Sequence, residues 1–367
     1  MTFNMLLKEL VQRGASDIHL HAGLYPMARV NGKLVRVGND ELKPEVTAGI
    51  VNIVCDERTK EIFDEKKQVD LSYSIVGVGR FRVNLFRQRG SISAVLRIIS
   101  SDEEQLKVVS LPQATIEHIR DLEKGIVLVT GPTGSGKSTT LARIIDEINR
   151  KHNKMIVTVE DPIEYMHQPK ESIIVQREIG MDAVSFSEAL RAGMRQDPDI
   201  IMIGEIRDYA TAVAAISAAQ TGHLVFSTLH TLDTIRTINR VIELFPPHER
   251  TTARILFADS MQAIIAQRLL PLNDGKGRAC AHEILLGTIR AKDLIRNEER
   301  SSELYDAIKD GRQGGMTLFD DSLLELYRQR RINFETAYTN ANNANDFKIR
   351  AKQVDADLEY QQLQATA

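Results

Sequence analysis

Gly131-Pro132-Thr133-Gly134-Ser135-Gly136-Lys137-Ser138 is the segment from which the architecture of the chain is inferred. It matches the phosphate-binding pattern G-x-x-x-x-G-K-[ST] at every fixed position. The β-branched apolar run Gly125–Thr130 before it predicts a buried parallel strand. Residues 138–148 after it have apolar side chains at helical spacing. A strand, a glycine-rich turn and a helix in this order predict a nucleoside triphosphate site.

The residue types of this phosphate loop suit triphosphate chemistry. Its glycines let main-chain N–H groups curl around phosphate oxygens, and the following helix adds its positive dipole end. Lys137 is expected to reach the β- and γ-phosphates, and the Ser138 hydroxyl to ligate magnesium. The predicted cofactors are therefore ATP and Mg²⁺. The predicted nucleotide-binding residues are Gly131, Pro132, Thr133, Gly134, Ser135, Gly136, Lys137, Ser138 and Thr139.

Length and composition restrict the class of protein. A chain of 367 residues favours two or three domains. Its two cysteines, Cys55 and Cys280, form no C-x-x-C pair, which argues against a disulfide framework or a zinc module. No apolar run approaches the roughly 18 residues of a membrane span, so we expect membrane contact only through a partner. The net charge of -3 gives no reason to expect nucleic-acid binding.

The order of predicted elements indicates an α/β fold with more than one domain. Residues 1–100 predict a small α+β module with one or two helices and several antiparallel strands, and residues 101–112 a polar linker. From 113 to 367, alternating strands and helices predict a parallel α/β core, a helical last third and a mobile tail beginning in Asn340–Asn345. The predicted N-terminal strands are Asp17–His21, a hairpin over Met27–Arg36 that turns at Asn31-Gly32, Gly79–Arg87 and Ser93–Ile99.

Acidic residues follow two predicted strands of the second domain. Glu160, Asp161 and Glu164 come after the apolar run Met155–Val159, where they could activate water or handle magnesium, or simply form a solvated loop. Glu205 ends the run Ile200–Gly204 and is expected beside the γ-phosphate, holding the magnesium shell.

A third predicted strand has a histidine at each end. His223 precedes the apolar run Leu224–Phe226, and His230 follows Ser227-Thr228-Leu229. A histidine in such a place is either a hydrogen-bonded structural residue or a sensor of the γ-phosphate, and both interpretations stay open for His230.

Four segments, taken in order, resemble those of the secretion-ATPase superfamily. They are GPTGSGKST, VTVEDPIEY, RQDPDIIMIGEIRD and TGHLVFSTLHT. In that superfamily these segments are the Walker A loop, the aspartate box, the Walker B segment and the histidine box. Within it the chain is most similar to the type IV pilus retraction ATPases, from an opening Gly14-Ala-Ser-Asp17-Ile-His19-Leu to about residue 350.

The resemblance implies a fold, an assembly and a set of roles. It implies a PAS-like N-terminal domain joined to a RecA-like ATPase domain, a homohexamer, and a nucleotide between the two domains of each subunit. It makes Glu164 the first choice for orienting the attacking water, with Glu160 as the alternative. Glu205 is then expected to handle magnesium through water, and His223 and His230 to relay nucleotide state.

Two arginines of the N-terminal domain match the arginine fingers of the family. They are Arg82 and Arg97, which without the resemblance are typical of surface residues on an exposed sheet face. Guanidinium groups suit the charge that develops on the transferring phosphoryl group. The implied partners are an inner-membrane pilus platform protein and other pilus ATPases, and the implied location is the cytoplasmic face of the inner membrane.

Two departures from family patterns separate the alternatives. Extension motors are longer and usually contain a tetracysteine module, so this chain favours a retraction-type motor. Retraction motors have the signature A-I-R-N-L-I-R-E, whereas this chain has Arg290-Ala-Lys-Asp-Leu-Ile-Arg-Asn297. The predicted function is ATP hydrolysis that powers pilus retraction and twitching motility. The alternatives are an accessory retraction ATPase, a DNA-translocating ring, and a regulatory ring with little hydrolysis.

Overall fold

The structure is a computed structural model that describes residues 2–101, residue 106 and residues 111–366, with side chains as far as Leu358. The chain folds into two compact units. The first comprises Met1–Ser101 and Pro162–Met166, and the second comprises Asp102–Asp161 and His167–Ala367. Most of the predicted linker (102–105 and 107–110) lies outside the described residues.

The segment Pro162–Met166 groups with the N-terminal residues although it lies far along the chain. The Met166 N–H donates to the Ser100 oxygen over 3.0 Å, and the Tyr165 hydroxyl donates to the Ser101 oxygen over 3.3 Å. A division of the chain by sequence alone, which assigns all residues after 113 to one domain, does not anticipate this grouping.

The first unit is built on an antiparallel six-stranded sheet in the order β3-β2-β1-β6-β5-β4. Asn31 and Gly32 have φ angles of 49° and 79°, as a two-residue hairpin turn requires. The predicted strands are present, β4 is an additional strand, and there are three helices rather than one or two. The elements are α1 (Phe3–Gln12), β1 (Ala15–His21), β2 (Met27–Val30), β3 (Lys33–Arg36), α2 (Pro44–Val54), α3 (Glu57–Lys66), β4 (Gln68–Ile75), β5 (Gly79–Gln88) and β6 (Ser91–Ile99).

The second unit surrounds a seven-stranded sheet in the order β13-β12-β7-β11-β10-β8-β9. All neighbouring pairs are parallel except β12 with β13. The elements up to the last sheet strand are α4 (Gln113–Arg120), β7 (Gly125–Thr130), α5 (Lys137–Lys151), β8 (Met155–Glu160), β9 (Ile173–Glu178), α6 (Phe186–Gly193), β10 (Ile200–Ile203), α7 (Tyr209–Gln220), β11 (Leu224–Leu229), α8 (Thr234–Glu243), α9 (Arg250–Ser260), β12 (Met261–Pro271) and β13 (Arg278–Leu286).

The central strands of this sheet are buried along their whole length. Every residue of β7, β10 and β11 is buried, as expected for strands of a parallel sheet covered on both faces by helices. The α/β fold class is therefore confirmed. Among the described residues, no helix is both long and apolar enough to cross a membrane.

The C-terminal part is helical, as predicted. Its elements are α10 (Ile289–Arg296), α11 (Leu304–Asp310), α12 (Phe319–Arg328), α13 (Phe334–Asn340) and α14 (Ala344–Thr366), with 3-10 helices at Glu298–Glu303 and Arg312–Gly314.

The prediction that Asn340–Asn345 begins a mobile tail is wrong. Phe347, on the first turn of α14, is fully buried, and Val354 two turns later is almost so. The Asp320 carboxylate accepts hydrogen bonds from the main-chain N–H groups of Asn342 and Asn343, at 2.7 and 2.9 Å. The asparagines therefore form a fixed turn between two helices, because α12 provides an acceptor for their main chain.

Candidate nucleotide-binding site

The phosphate loop joins the carboxyl end of β7 to the first turn of α5. Gly131 has a φ of 146°, which favours glycine. A Cβ atom at Gly131 would overlap the main-chain oxygen of Gln267 and lie 2.5 Å from the Ser135 hydroxyl. Gly136, with a φ of 89°, caps the N-terminus of α5. These two glycines of the motif thus occupy positions that other residues could adopt only with strain.

The Lys137 ammonium lies inside the loop that contains it. Its side chain donates to the main-chain oxygens of Gly131 and Pro132, at 3.0 and 3.2 Å, and the residue is only 9% exposed. The Ser135 hydroxyl oxygen is also buried, and it has no hydrogen-bond partner in the described part of the chain. A bound phosphate chain would give both groups anionic acceptors, which form stronger hydrogen bonds than neutral carbonyls. The loop therefore fits a nucleotide.

Gln267 on β12 ties the phosphate loop to the sheet. Its Nε2 donates to the main-chain oxygen of Ser135 over 2.7 Å, and its Oε1 accepts from the Thr140 hydroxyl over 2.8 Å. Gln267 is almost fully buried, so both of its polar ends are paired inside the protein. This residue is not among the predicted site residues. Its signal in the sequence is an amide that directly follows the apolar run 263–266 of β12.

Glu205 follows β10 and lies within a cleft of about 230 Å³. Its side chain is 12% exposed, and its carboxylate pairs with Arg207 and lies 3.4 Å from Nε2 of His230. Arg240 and Thr231 also line the cleft. The structure therefore brings together Glu205 and His230, two predicted site residues from different strand ends, and adds Arg207 and Arg240, which the sequence does not single out.

The order of the strands explains this grouping. β11 lies between β7 and β10, and all three strands are parallel. The phosphate loop, the His230 segment and Glu205 therefore all follow the carboxyl ends of these strands, on the same side of the sheet's strand ends. Hydroxyls connect two of these ends. Thr237 donates to Thr130, the residue before the loop, over 3.3 Å, and its hydroxyl lies 2.7 Å from the Thr231 hydroxyl.

His223 lies at the amino-terminal ends of the parallel strands, opposite to the phosphate loop. It precedes β11, whose first residue Leu224 pairs with Gly125 at the start of β7. Because β7 contains six residues, His223 is separated from the phosphate loop by roughly 17–20 Å within the subunit. Its Nδ1 lies 2.9 Å from the Ala218 oxygen and 3.2 Å from the Thr221 hydroxyl, at the end of α7. The structure therefore does not bring His223 to the other site residues of its unit.

The two candidate carboxylates of the aspartate box lie in different environments. Glu160, at the end of β8, is buried, and its Oε1 accepts from the Thr158 hydroxyl at 2.8 Å and from Gln176 Nε2 at 3.1 Å. Glu164 is exposed and belongs to the segment that groups with the first unit. Asp161, between them, is also exposed.

Arg82 and Arg97 lie on the outer face of the first unit's sheet. Phe81, Val83 and Leu96 face the core of this unit, so the residues that alternate with them face away from it. Arg82 pairs directly with Arg97 in the register of β5 and β6, and both side chains are exposed. The structure thus brings the two predicted arginine fingers side by side.

His167 is a buried titratable residue of the second unit. Burial lowers the pKa of His167 to about 4, an effect that Asp146 opposes and Lys170 reinforces. The imidazole is therefore neutral near pH 7. It lies two residues after the aspartate box, so its protonation bears on the stability of this region.

Sequence comparison identifies the family. The family described as type II/IV secretion system protein matches residues 1–351. The chain belongs to this family. Two proteins of Pseudomonas aeruginosa are similar members of it. The type IV pilus retraction ATPase PilT is 40% identical over 347 residues, which cover 95% of this chain and 100% of PilT. The type IV pilus ATPase PilU is 39% identical over 352 residues, which cover 96% of this chain and 92% of PilU.

A solved structure extends the similarity to the fold of this secretion-family chain. The crystal structure of the pilus retraction motor PilT with bound ADP has a TM-score of 0.85 and 41% sequence identity, and the match covers 94% of this chain and 98% of the other. The predicted resemblance to pilus retraction ATPases and the prediction of an ATPase are thereby confirmed. The ADP in the PilT structure agrees with the predicted nucleotide.

Proposed function

We propose that the chain is a hexameric ATPase that hydrolyses ATP to power retraction of type IV pili. One observation carries this proposal. The phosphate loop, Glu205 and His230 follow the carboxyl ends of three neighbouring parallel strands, in a chain that is 40% identical to a pilus retraction ATPase over nearly its whole length. Such a juxtaposition suits phosphoryl transfer, which depends on positioning and on electrostatic stabilisation of the γ-phosphoryl group.

Each residue has a role in this proposal. Main-chain N–H groups of the phosphate loop and Lys137 bind the phosphates, while Ser138 and Glu205 hold Mg²⁺, Glu205 through water. Glu164 orients the attacking water, as the family resemblance implies, and Glu160, whose Oε1 accepts from Thr158 and Gln176, is the alternative. His230 reports the state of the nucleotide to the rest of the protein.

Arg82 and Arg97 complete the site during turnover. Their exposed guanidinium groups stabilise the charge on the phosphoryl group that is transferred. We assign residues 1–100 to a PAS-like domain and residues 113–367 to a RecA-like ATPase domain, which together assemble as a homohexamer. The ring acts on an inner-membrane platform protein from the cytoplasmic face of the membrane, so that hydrolysis withdraws pilin subunits from the fibre.

An accessory retraction ATPase is the second candidate. It is favoured by the altered signature Arg290–Asn297 and by an identity to PilU that nearly equals the identity to PilT. The segment forms α10, in which Leu294 and Ile295 are buried while Lys292 donates to the Asp259 oxygen over 3.0 Å. The apolar pair is kept, whereas the changes affect polar positions of the helix and one buried position, where Ala291 stands in place of the isoleucine of the signature.

The biochemical test is ATP turnover and mass of the purified full-length protein. Wild type is expected to hydrolyse ATP only with Mg²⁺ and to form a hexamer. Lys137→Ala is expected to abolish turnover and to leave the subunits able to assemble. Near-normal turnover in this variant would contradict the site assignment, and a protein that stays monomeric in the presence of nucleotide would contradict the ring.

A deletion strain separates the two candidates. If the chain is the principal motor, cells without it become hyperpiliated and stop twitching. If it is an accessory ring, the deleted cells still twitch, and the loss becomes visible only when retraction is opposed by load or when the principal motor is weakened.

A further inference from the structure

A row of charged residues crosses the outer face of the first unit's sheet. The register of β1 and β6 pairs Asp17 with Arg97, and that of β5 and β6 pairs Arg97 with Arg82. On the other side, Asp17 pairs with Arg29 of β2. Asp17 is therefore the acidic member of a row that contains three arginines.

Asp17 is held at both of its carboxylate oxygens. Nε of Arg97 donates to Oδ1 over 2.9 Å, and the Ser16 hydroxyl donates to Oδ2 over 2.8 Å. The Asp17 side chain is only 13% exposed, whereas that of Arg97 is 67% exposed. The anchored carboxylate thus fixes the arginine at Nε, while the outer part of the guanidinium remains in solvent.

The charges of the row favour the contact between Asp17 and Arg97. Two arginines directly opposite each other on neighbouring strands repel, and a carboxylate beside them offsets this repulsion. Burial by itself raises the pKa of Asp17, but hydrogen bonds from Arg97 and Ser16 outweigh it, so the pKa lies below its usual value. Asp17 is therefore negatively charged near pH 7.

We propose that Asp17 is a positioning residue for Arg97: it binds Nε so that the two terminal nitrogens are presented together to an anionic phosphoryl group. The inference rests on the proposed role of Arg97 in ATP hydrolysis. A planar guanidinium that is already oriented loses less side-chain freedom when it engages two phosphate oxygens. Asp17 thus increases the rate of turnover and does not contribute to nucleotide binding.

The test compares Asp17→Ala and Asp17→Asn in the full-length ATPase. Asp17→Ala is expected to lower kcat about tenfold without changing KM for ATP, because misplacing a catalytic group can cost up to about 10²-fold. Asp17→Asn keeps an acceptor oxygen for Nε, although without charge, and is expected to lose only about threefold. Asp70→Asn, a change on the same sheet face at a carboxylate that accepts from Asn84, serves as the matched control and is expected to keep full turnover.

A double variant separates this inference from the proposed function. In an Arg97→Ala background, Asp17→Ala is expected to cause no further loss of kcat. If Arg97→Ala itself keeps full turnover, the arginine-finger assignment fails, and the inference falls with it. If Arg97→Ala is impaired while Asp17→Ala is unchanged or faster, the finger assignment stands and the positioning role of Asp17 is overturned.

Discussion

The side-chain amide of Gln267 donates to the main-chain oxygen of Ser135, inside the phosphate loop, over 2.7 Å. The same side chain accepts from Thr140 on α5, so one buried residue of β12 contacts both the loop and the helix that follows it. We expect the contact to fix the conformation of the loop. It also couples the loop to the long antiparallel pair of β12 and β13.

Gln267→Ala is expected to weaken ATP binding about tenfold and to lower the free energy of unfolding by about 1–3 kcal/mol. The reason is that Ser135 and Thr140 each lose a buried hydrogen-bond partner. Titration with a fluorescent ATP analogue and denaturant unfolding measure the two effects. Gln262→Ala is the control. Gln262 lies on β12, as Gln267 does, but it is beside Gly125, at the end of β7 that is far from the phosphate loop. Equal loss of ATP affinity in both variants would contradict a specific role for Gln267.

Glu164→Gln is expected to lower kcat by about 10²-fold or more and to keep ATP affinity, because a residue that orients the attacking water acts in the chemical step. Glu160→Gln is expected to lower stability by about 1 kcal/mol, since it alters the hydrogen bonds to Thr158 and Gln176. Turnover and unfolding are measured on both variants. The reverse pattern, with kcat lost only in Glu160→Gln, would transfer the water-orienting role to Glu160.

The two histidines of the histidine box are expected to differ in effect. His230→Ala is expected to lower kcat about tenfold, which corresponds to about 1.4 kcal/mol of activation free energy, because His230 contacts Glu205. His223→Ala removes contacts at the end of α7 and is expected to lower stability by about 1 kcal/mol. Steady-state kinetics and thermal unfolding of both variants check this. If His223→Ala lost more kcat than His230→Ala, His223 would act on turnover through contacts that a single subunit does not contain.

Stability is expected to fall as the pH is lowered from 6.5 to 5. The pKa of His167 is about 4 in the folded protein, below its ordinary value of 6.5, so the unfolded chain binds more protons in this window. The effect amounts to about 2 kcal/mol at pH 5, and it fades as the pH rises above 6.5. Unfolding between about pH 5 and 7.5 measures it. Burial also lowers the pKa of His282 to about 4, so His167→Gln is expected to remove only the part of the dependence that is due to His167. Replacing the exposed His118 is expected to leave the dependence unchanged.

The sequence predicts those parts of the site that depend on local spacing. The phosphate loop, Glu205 and His230 each follow an apolar run directly, and parallel strands place such residues at one edge. His223 begins its strand, so the same rule places it at the opposite edge.

Local sequence patterns do not predict contacts between segments that are far apart in the chain. Gln267 reaches a loop residue 132 positions away, because the sheet order places β12 beside β7. The grouping of Pro162–Met166 with the first unit also depends on hydrogen bonds to residues near Ser100. Asparagine-rich composition favours a tail at residues 340–345, whereas Asp320 of a neighbouring helix holds that segment in a turn.

Pilus retraction in cells whose gene carries Glu205→Gln tests the central claim most directly. The variant keeps the phosphate loop and is expected to bind ATP and assemble, but not to complete hydrolysis. Fluorescently labelled pili are followed in deleted cells complemented with wild type or with the variant at equal expression. The proposal predicts that wild type restores retraction and the variant does not. Retraction at the wild-type rate with Glu205→Gln would contradict a motor powered by hydrolysis at this site.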